Sequence, residues 1–487
     1  MSTIPFQLPL RPVLPNVYGP LDYRQERELF VRMDALLHQA DVEMPRIMEL
    51  LKARGCPVSD RVIHRHLHGL RCAIARRLCG LAYREFAIRL ADSAILQWFT
   101  RCGDYGPVKP CSKSSLERYD ALFEVESLCA MSNGLLRGAA AEDPARRLGG
   151  LNEPLNLDTL FADCTCVEAN IHFPVDWVLL RDAVRTLVQA IQLIRREGLK
   201  KRMPKPSDFL RRINTLAMEM SAGRRSPESK KARKRTLRKM KRLNRVVERH
   251  AHAYRALLDA KWEQTSWSRP QAEQVLGRMD NILAQLPQAL HQAHERVIGE
   301  RRVDNAEKIL SLYDPDVHVV VRGKAGAEVE FGNKLYLAEQ RDGVIVDWRL
   351  FQKAPPADST LVAESVARVG HAHGAVKEFV GDRGFDAKAN DVLLEELDIR
   401  NGVCPKNPVR MEERRKEAWF AAGQRRRAGT EARVGIFKNV FLGSPFRAKG
   451  FAHREQSVAW CVLAHNLWVL ARKSLSEEAE RDKAAAA

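Results

Sequence analysis

The feature of this sequence that most limits its possible folds is an interruption. LNLDTLFADCTCVE, residues 155–168, reads as a strand, being rich in Leu, Thr, Phe and Cys and poor in helix formers. Helical periodicity then takes over with DWVLLRDAVRTLVQAIQLIRREG and persists to about residue 312. Strands return in VHVVVRG, VEFGNKLYLAEQ and GVIVDWRLFQ, each bounded by glycine or polar turn residues. A helix is expected next, from about Ser359 to Val369, and then a short apolar strand in AVKEFVGDRGF that ends at an aspartate. The first strand is thus cut off from its later partners by a long helical insertion, and an α/β unit with a mixed sheet is expected.

Inside the insertion lies RRSPESKKARKRTLRKMKRLNRVVER, residues 224–249, with thirteen Lys or Arg against two Glu. More than half of the chain's formal net charge of +19 sits there. Leu237, Met240, Leu243 and Val247 mark an apolar seam at helical spacing, which predicts a packed helix with a basic outer face. A solvated face is the ordinary reading of such a run. Here the density of cations and the lack of acid partners at i, i+4 leave repulsion that a polyphosphate would relieve. Nucleic acid is the expected partner, with Arg233, Lys234, Arg235, Arg238, Lys239 and Arg242 as candidate contacts.

Residues 24–150 read as all-helical, with apolar residues at three- and four-residue spacing in RELFVRMDALLHQ and LAYREFAIRLADSAILQWF. Two stretches have the form of helix-turn-helix readers of DNA: GCPVSDRVIHRHLHGL, capped by Ser59, and KPCSKSSLERYDALF, capped by Ser112. Short capped helices more often only pack. The expected division is a flexible segment 1–23, a helical DNA-binding domain 24–150, the first part of the core 151–175, the basic helical insertion 176–312, the rest of the core 313–473 and a disordered tail 474–487. The ten cysteines are scattered, with no Cys-x-x-Cys pair or repeated spacing, which predicts reduced thiols in place of a zinc module. MSTIPFQLPLRPVLPN lacks a basic segment followed by an apolar core, and no apolar run reaches the ~18 residues needed to cross a bilayer. A cytoplasmic chain, associated with no membrane, is expected.

Three carboxylates stand out against this basic background. Glu431 sits in RRRAGTEARVGIFKN among four arginines and a lysine. At 100° per residue a helix places Arg427, Glu431 and Lys438 within about 40° of one another, with Ala432, Ile436 and Val440 opposite as the expected core-facing stripe. Asp382 ends the apolar strand of VKEFVGDRGF, where Arg-Gly turns the chain and exposes the carboxylate. Asp163 lies in LFADCTCVE with the parity of Phe161 and Thr165. Taken singly, a strand-end Asp is more often a turn former and a helix Glu merely solvates its face. Together, two strand acids and a helix acid could hold two divalent cations ~3.5 to 4 Å apart, and oxygen-only ligands favour Mg²⁺ or Mn²⁺. The order β, long insertion, β-β-β-α-β, α suits a ribonuclease-H-like α/β fold with an all-α N-terminal region.

These motifs resemble those of the DDE transposases of bacterial insertion sequences, in the group whose third motif runs Tyr, two residues, Arg, three, Glu, six, Lys. Arg427, Glu431 and Lys438 keep that spacing, while the tyrosine position is Gln424. ADCTCVEANIHFPVD resembles the first motif and FVGDRGFDAKAN the second. The resemblance spans roughly residues 70–473 and carries Asp163, Asp382 and Glu431 over as the catalytic, metal-holding acids. Lys324 and Lys334 match recurring basic positions and Asp358 a recurring acid. Besides Gln424, a second departure is Cys164, where a small or hydroxyl residue is usual.

The resemblance implies a transposase that binds the terminal inverted repeats of its element in double-stranded DNA and pairs two ends, so at least a homodimer on DNA, close to the nucleoid. It implies cleavage and joining of strands with two ions, Arg427 and Lys438 clamping phosphates and Arg383 a weaker candidate. Asp158 is expected to face away from Asp163, Asp176 and Asp386 to cap helices, and Glu168 to support the site from behind. The alternatives are a nuclease of the same fold and a DNA-binding protein derived from a transposase without catalysis. An RNA-binding protein is disfavoured, since no aromatic-rich strand motif or Gly-x-x-Gly loop is found in its context.

Overall fold

The computed structural model describes residues 13–14, 16–102, 111–222, 227–324, 327–352, 355–443 and 446–486, with 322–324, 327–328 and 486 described by backbone alone. Its helices are α1 (Leu21–Gln39), α2 (Glu43–Ala53), α3 (Asp60–Leu78), α4 (Tyr83–Asp92), α5 (Ala94–Thr100), α6 (Lys113–Asp120), α7 (Val125–Ala139), α8 (Asp176–Arg196), α9 (Pro206–Ser221), α10 (Pro227–Lys261) and α11 (Arg269–Val297). They continue with α12 (Val362–His373), α13 (Lys388–Glu396), α14 (Pro408–Arg415), α15 (Ala418–Ile436) and α16 (Phe451–Ala486). The strands are β1 (Thr159–Glu168), β2 (His318–Lys324), β3 (Ala327–Glu339), β4 (Ile345–Leu350), β5 (Glu378–Gly381) and β6 (Arg400–Val403). Among the described residues no helix is long and apolar enough to cross a membrane.

The chain forms two compact units, Met1–Val167 with Lys334–Phe351 and Pro355–Ala487, and Glu168–Asn333 with Gln352–Ala354. Strand order is β2-β3-β1-β5-β6, with β4 also paired to β3. β5 runs parallel to β1 and β6 parallel to β5, while β4 is antiparallel to β3, so the sheet is mixed. Parallel strands are covered on both faces and read as unbroken apolar runs. Leu160, Phe161 and Ala162 of β1 and Phe379 and Val380 of β5 are accordingly all buried.

The N-terminal helices do not form a domain of their own, as the sequence reading expects for 24–150. α1, α3 and α7 pack on α16 within the unit that holds β1, β4, β5, β6 and the end of β3. The cause is α16 itself: Val458 to Leu463, Leu467 and Leu470 are buried all round the helix, and a helix apolar on every side needs cover from several directions. Nor are the described residues of the expected tail, 474–486, disordered. α16 runs through Ala486, with the Ser474 hydroxyl on the Gly149 carbonyl and Arg481 donating to the Gly150 carbonyl at 2.9 Å.

The first helix-turn-helix candidate keeps Arg61 and Arg65 exposed, while the arginines that follow it on the same helix, Arg71 and Arg77, are spent internally. Ser59 is the N-cap of α3 but makes no capping bond, and much of that long helix is core. Arg71 is fully buried between Glu43 and Asp34, and Arg77 forks onto Asp120 at 2.7 Å. Ser112 does cap α6, accepting from the Ser115 amide, and α6 packs on α3.

The second unit is built on α8, α9, α10 and α11, each packed on at least two of the others. Leu180, Val184, Leu187, Ile191 and Ile194 recur on one face of α8 and are buried. The seam expected on the basic helix is present, since Leu237, Met240, Leu243 and Val247 are all buried on α10. This unit extends past both ends expected for the insertion and takes in β2 and the start of β3. The expected helix at 359–369 starts three residues later, after a tight turn at Asp358–Thr360.

Candidate functional site

The parallel register of β1 and β5 sets the first two acids side by side. Thr159 pairs with Glu378, Leu160 with Phe379 and Phe161 with Val380. Extending the same offset by two rows brings Asp163 opposite Asp382, on neighbouring chains about 4.8 Å apart. Asp382 follows the last residue of β5 directly and accepts from the Gly384 amide at 2.7 Å, closing the turn of Asp-Arg-Gly. A Cβ on Gly384 would lie 2.7 Å from an Asp358 oxygen and 2.9 Å from an Asp382 oxygen, so a side chain here displaces both carboxylates. Arg383 is exposed on the turn.

The third acid arrives on α15, which is fastened across the sheet at two places. Toward its start, the Gln424 amide donates to the carbonyls of Gly402 at 2.7 Å and Gly381 at 3.3 Å, at the ends of β6 and β5. Further along, Arg426, Thr430 and Arg433 converge on buried Glu339 of β3 at 3.0, 2.6 and 3.0 Å. Arg426 also lies over the Phe161 ring of β1 at 4.7 Å. Glu431 is therefore held by neighbours on its own helix. It is largely exposed and accepts from Arg427 at 3.3 Å, while Gln424 Oε1 accepts from the same guanidinium at 3.1 Å.

Two details of α15 differ from the expected stripe. Its buried side chains are Phe420, Gly423, Thr430 and Val434, continued by Phe437 and Phe441, whereas Ile436 and Val440 are exposed. The reason is that Glu339 draws two arginines of this helix down to the sheet, turning the face that hydropathy alone assigns to solvent. Secondly, Phe437–Leu442 is a π-helical turn, so Lys438 does not continue the α-helical stripe of Arg427 and Glu431.

The acids bear on one another electrically. Burial pushes the Asp163 carboxyl up to about 6; the Cys164 amide opposes this, and the charges of Asp382 and Glu431 add to it, with Arg427 opposing. Asp163 thus faces both other acids and the arginine. The three acids do not close to within 4.8 Å of one another as a single-ion cage would require. Cys164 points the other way: burial pushes its thiol up, and Asp358 adds to the rise. There Lys334 pairs with Asp358 and donates to the Pro356 carbonyl at 2.7 Å, so this cation is engaged inside the unit. The side chain of Lys324 lies outside the described residues.

The competing acids have other work. Asp158 pairs with Lys377 at 2.9 Å, and Asp386 accepts from the Lys406 amide at 2.7 Å without capping α13, whose N-cap is Ala387. Asp176 opens α8 and bonds Gln292 and Arg296. Glu168, an odd number of residues from Asp163, takes the opposite face of the strand.

In the second unit, Lys231, Arg235, Arg238, Arg242, Arg245 and Arg249 are all exposed along α10. Their three- and four-residue spacing makes one cationic row about 27 Å long. Arg235, Arg238, Lys239 and Arg242 are exposed as expected, but Arg233 and Lys234 are half-buried and Lys234 pairs with Glu300 at 2.8 Å. The sequence reading missed Glu339, whose partners lie far away in the chain, and noted Gln424 only as a departure from the family tyrosine, not as the residue that fastens α15 to β5 and β6. It also missed a cluster of His68, Cys72 and Cys111, whose donor atoms lie within 4.8 Å of one another. The His68–Cys72 spacing of four on one helix was the available signal. No family model, curated protein or solved structure matches this chain.

Proposed function

We propose that the chain is a DNA transposase of the Asp-Asp-Glu type, acting on the ends of its own mobile element. The observation that carries this reading is the parallel register of β1 and β5, whose continuation sets Asp163 opposite Asp382, with the charges of Asp382, Glu431 and Arg427 all acting on the Asp163 carboxyl. The element order gives support: β1, a helical insertion, β2-β3-β4, α12, β5 and later α15 follow the succession expected of a ribonuclease-H-like core.

The residues fit a pair of Mg²⁺ or Mn²⁺ ions. The donors are all carboxylate oxygens, and the burial and neighbouring acids that raise Asp163 are offset by a divalent cation. Asp163, Asp382 and Glu431 would hold them, and when bound the ions supply charge for the attacking and leaving oxygens of an in-line displacement. Arg427, oriented by Gln424 and Glu431, meets a phosphate oxygen beside the scissile bond. Lys438 and exposed Arg383 extend the phosphate contacts. Water opens the strand at the element end, and the freed 3′-hydroxyl attacks target DNA. Joining two ends in concert calls for at least a dimer on DNA.

The test is cleavage and strand transfer on a labelled duplex of the DNA flanking the coding region, in Mg²⁺ or Mn²⁺, with wild type and Glu431→Gln. Joined products from wild type, and retained binding without chemistry from the variant, support the transposase reading. Cleavage without joining favours the nuclease. Tight binding with neither product, from folded wild type, leaves a DNA-binding protein.

A further inference from the structure

We propose that His68, Cys72 and Cys111 form a structural Zn²⁺ site in the N-terminal helices, with Cys102 as the fourth ligand. His68 and Cys72 stand four apart on α3, so both project from the same face. Cys111 immediately precedes the N-cap of α6, and Cys102 lies just past the end of α5. Four donors thus come from the ends or faces of three helices, and all but Cys111 are buried.

The geometry is that of a ligand set. His68 Nδ1 lies 2.7 Å from the Thr100 carbonyl, which fixes a proton on Nδ1 and leaves Nε2 as the metal-facing nitrogen toward Cys111, while Cys72 Sγ, 3.8 Å from Nδ1 as well, stands beside the ring and turns toward Nε2 on binding. A backbone carbonyl on the distal nitrogen is the usual outer partner of a zinc-bound histidine. Nε2 is 3.6 Å from Cys72 Sγ, and a tetrahedral ion with ordinary Zn–N and Zn–S bonds sets that edge at about 3.6 Å. Its distance to Cys111 Sγ is 2.8 Å, so an entering ion widens this edge by roughly 0.8 Å. The Tyr119 hydroxyl, 3.9 Å from Cys111 Sγ, stands on the outer side of that sulfur. Bonds from Cys72 and His68 bring the Cys111 thiol down to about 4, the second of them donated by an Nε2 proton that leaves when a metal takes that nitrogen. Cys102 stands outside the 4.8 Å cluster of the other three donors, but its charge acts on Cys72 and that of Cys111 acts on it, so a turn of its side chain closes the fourth position. On binding, Cys72 and Cys102 release their protons to solvent.

A tetrahedral ion here ties α3 to the segments that follow α5 and precede α6. It would hold in place the helices that pack around α16, a function independent of the carboxylate site.

The experiment is metal analysis of the full chain, produced in zinc-supplemented medium and purified under reducing conditions without chelator. One zinc per chain is expected, lost in Cys72→Ser, Cys111→Ser and His68→Ala and kept in Cys56→Ser. Because those variants can misfold, wild type is also loaded with Co²⁺: visible ligand-field bands and a sulfur-to-cobalt charge-transfer band support the site. X-ray absorption showing three sulfurs and one nitrogen supports Cys102 as the fourth ligand, and two sulfurs with an added oxygen overturns that assignment. Folded wild type that holds no stoichiometric zinc, gives no cobalt bands and shows no rise in Tm on adding Zn²⁺ overturns the site altogether.

Discussion

At the scale of single residues, the most informative group is Asp163, whose carboxyl stands at about 6 against an ordinary 3.8. A carboxyl raised on folding binds more protons in the folded state between those two values. Its contribution to stability is therefore complete below about pH 4 and is lost as the pH rises through about 6. The full loss corresponds to about 3 kcal/mol at one pKa unit per 1.36 kcal/mol, with surrounding relaxation reducing it. Asp163→Asn keeps the oxygen that accepts from the Cys164 amide and removes the charge. In Mg²⁺-free buffer at pH 7 the variant is expected to be more stable than wild type by about 1–3 kcal/mol, and the two should converge near pH 4. Denaturant melts at the two pH values check this. A wild type whose stability is flat from pH 4 to 7 would contradict the crowded carboxyl. Added Mg²⁺ should raise the wild-type Tm more at pH 8 than at pH 5, since the ion competes with the Asp163 proton, and should leave the variant nearly unmoved.

At the scale of elements, α15 shows how a helix that reads as plainly basic is built to carry one acid. Two of the arginines around Glu431 are structural, because Arg426 and Arg433 neutralise Glu339 from opposite sides of Thr430. Glu339→Ala leaves both guanidiniums partly buried without their partner and is expected to cost about 3–5 kcal/mol. Glu339→Gln keeps the Thr430 bond and should cost less; equal losses in thermal melts of the two variants would mean that charge is not what holds the helix. This pairing was illegible in the sequence because Glu339 lies 87 to 94 residues before its partners. Hydropathy alone assigns Ile436 and Val440 inward, whereas the structure exposes them and buries Thr430 beneath two arginines. The strands were easier to read. β1, β3, β4 and β5 lie where alternation and turn residues put them, since one apolar face or two leave a local signature. Asp163 and Asp382 were likewise visible as strand acids, but only the register, a non-local quantity, makes them neighbours. His68, Cys72 and Cys111 escaped for the same reason: the third thiol comes from a different helix and completes no short spacing.

At the scale of the whole molecule, the carboxylate candidates belong to one compact unit and the cationic row to the other, so chemistry and non-specific DNA affinity should separate by mutation. The division itself differs from the sequence reading, which gave the N-terminal helices a domain to themselves; the apolar girth of α16 explains why they share a unit with the sheet. On α10, Arg235, Arg238 and Arg242 are exposed on successive turns, and the buried seam of Leu237, Met240 and Leu243 secures the helix without them. Replacing all three with Ala should leave the thermal melt within about 0.5 kcal/mol per site, as exposed substitutions usually do. If each arginine meets a phosphate, the slope of log K against log salt should fall in magnitude by about 3, at ~0.9 per contact. Affinity should fall evenly across unrelated duplex sequences, because phosphate contacts carry no base information. Fluorescence anisotropy on two such duplexes over a range of salt reads both quantities, with Glu431→Gln alongside as a variant that keeps the wild-type slope. An unchanged slope in the triple variant would return the basic helix to the role of a solvated face and move the DNA contacts elsewhere.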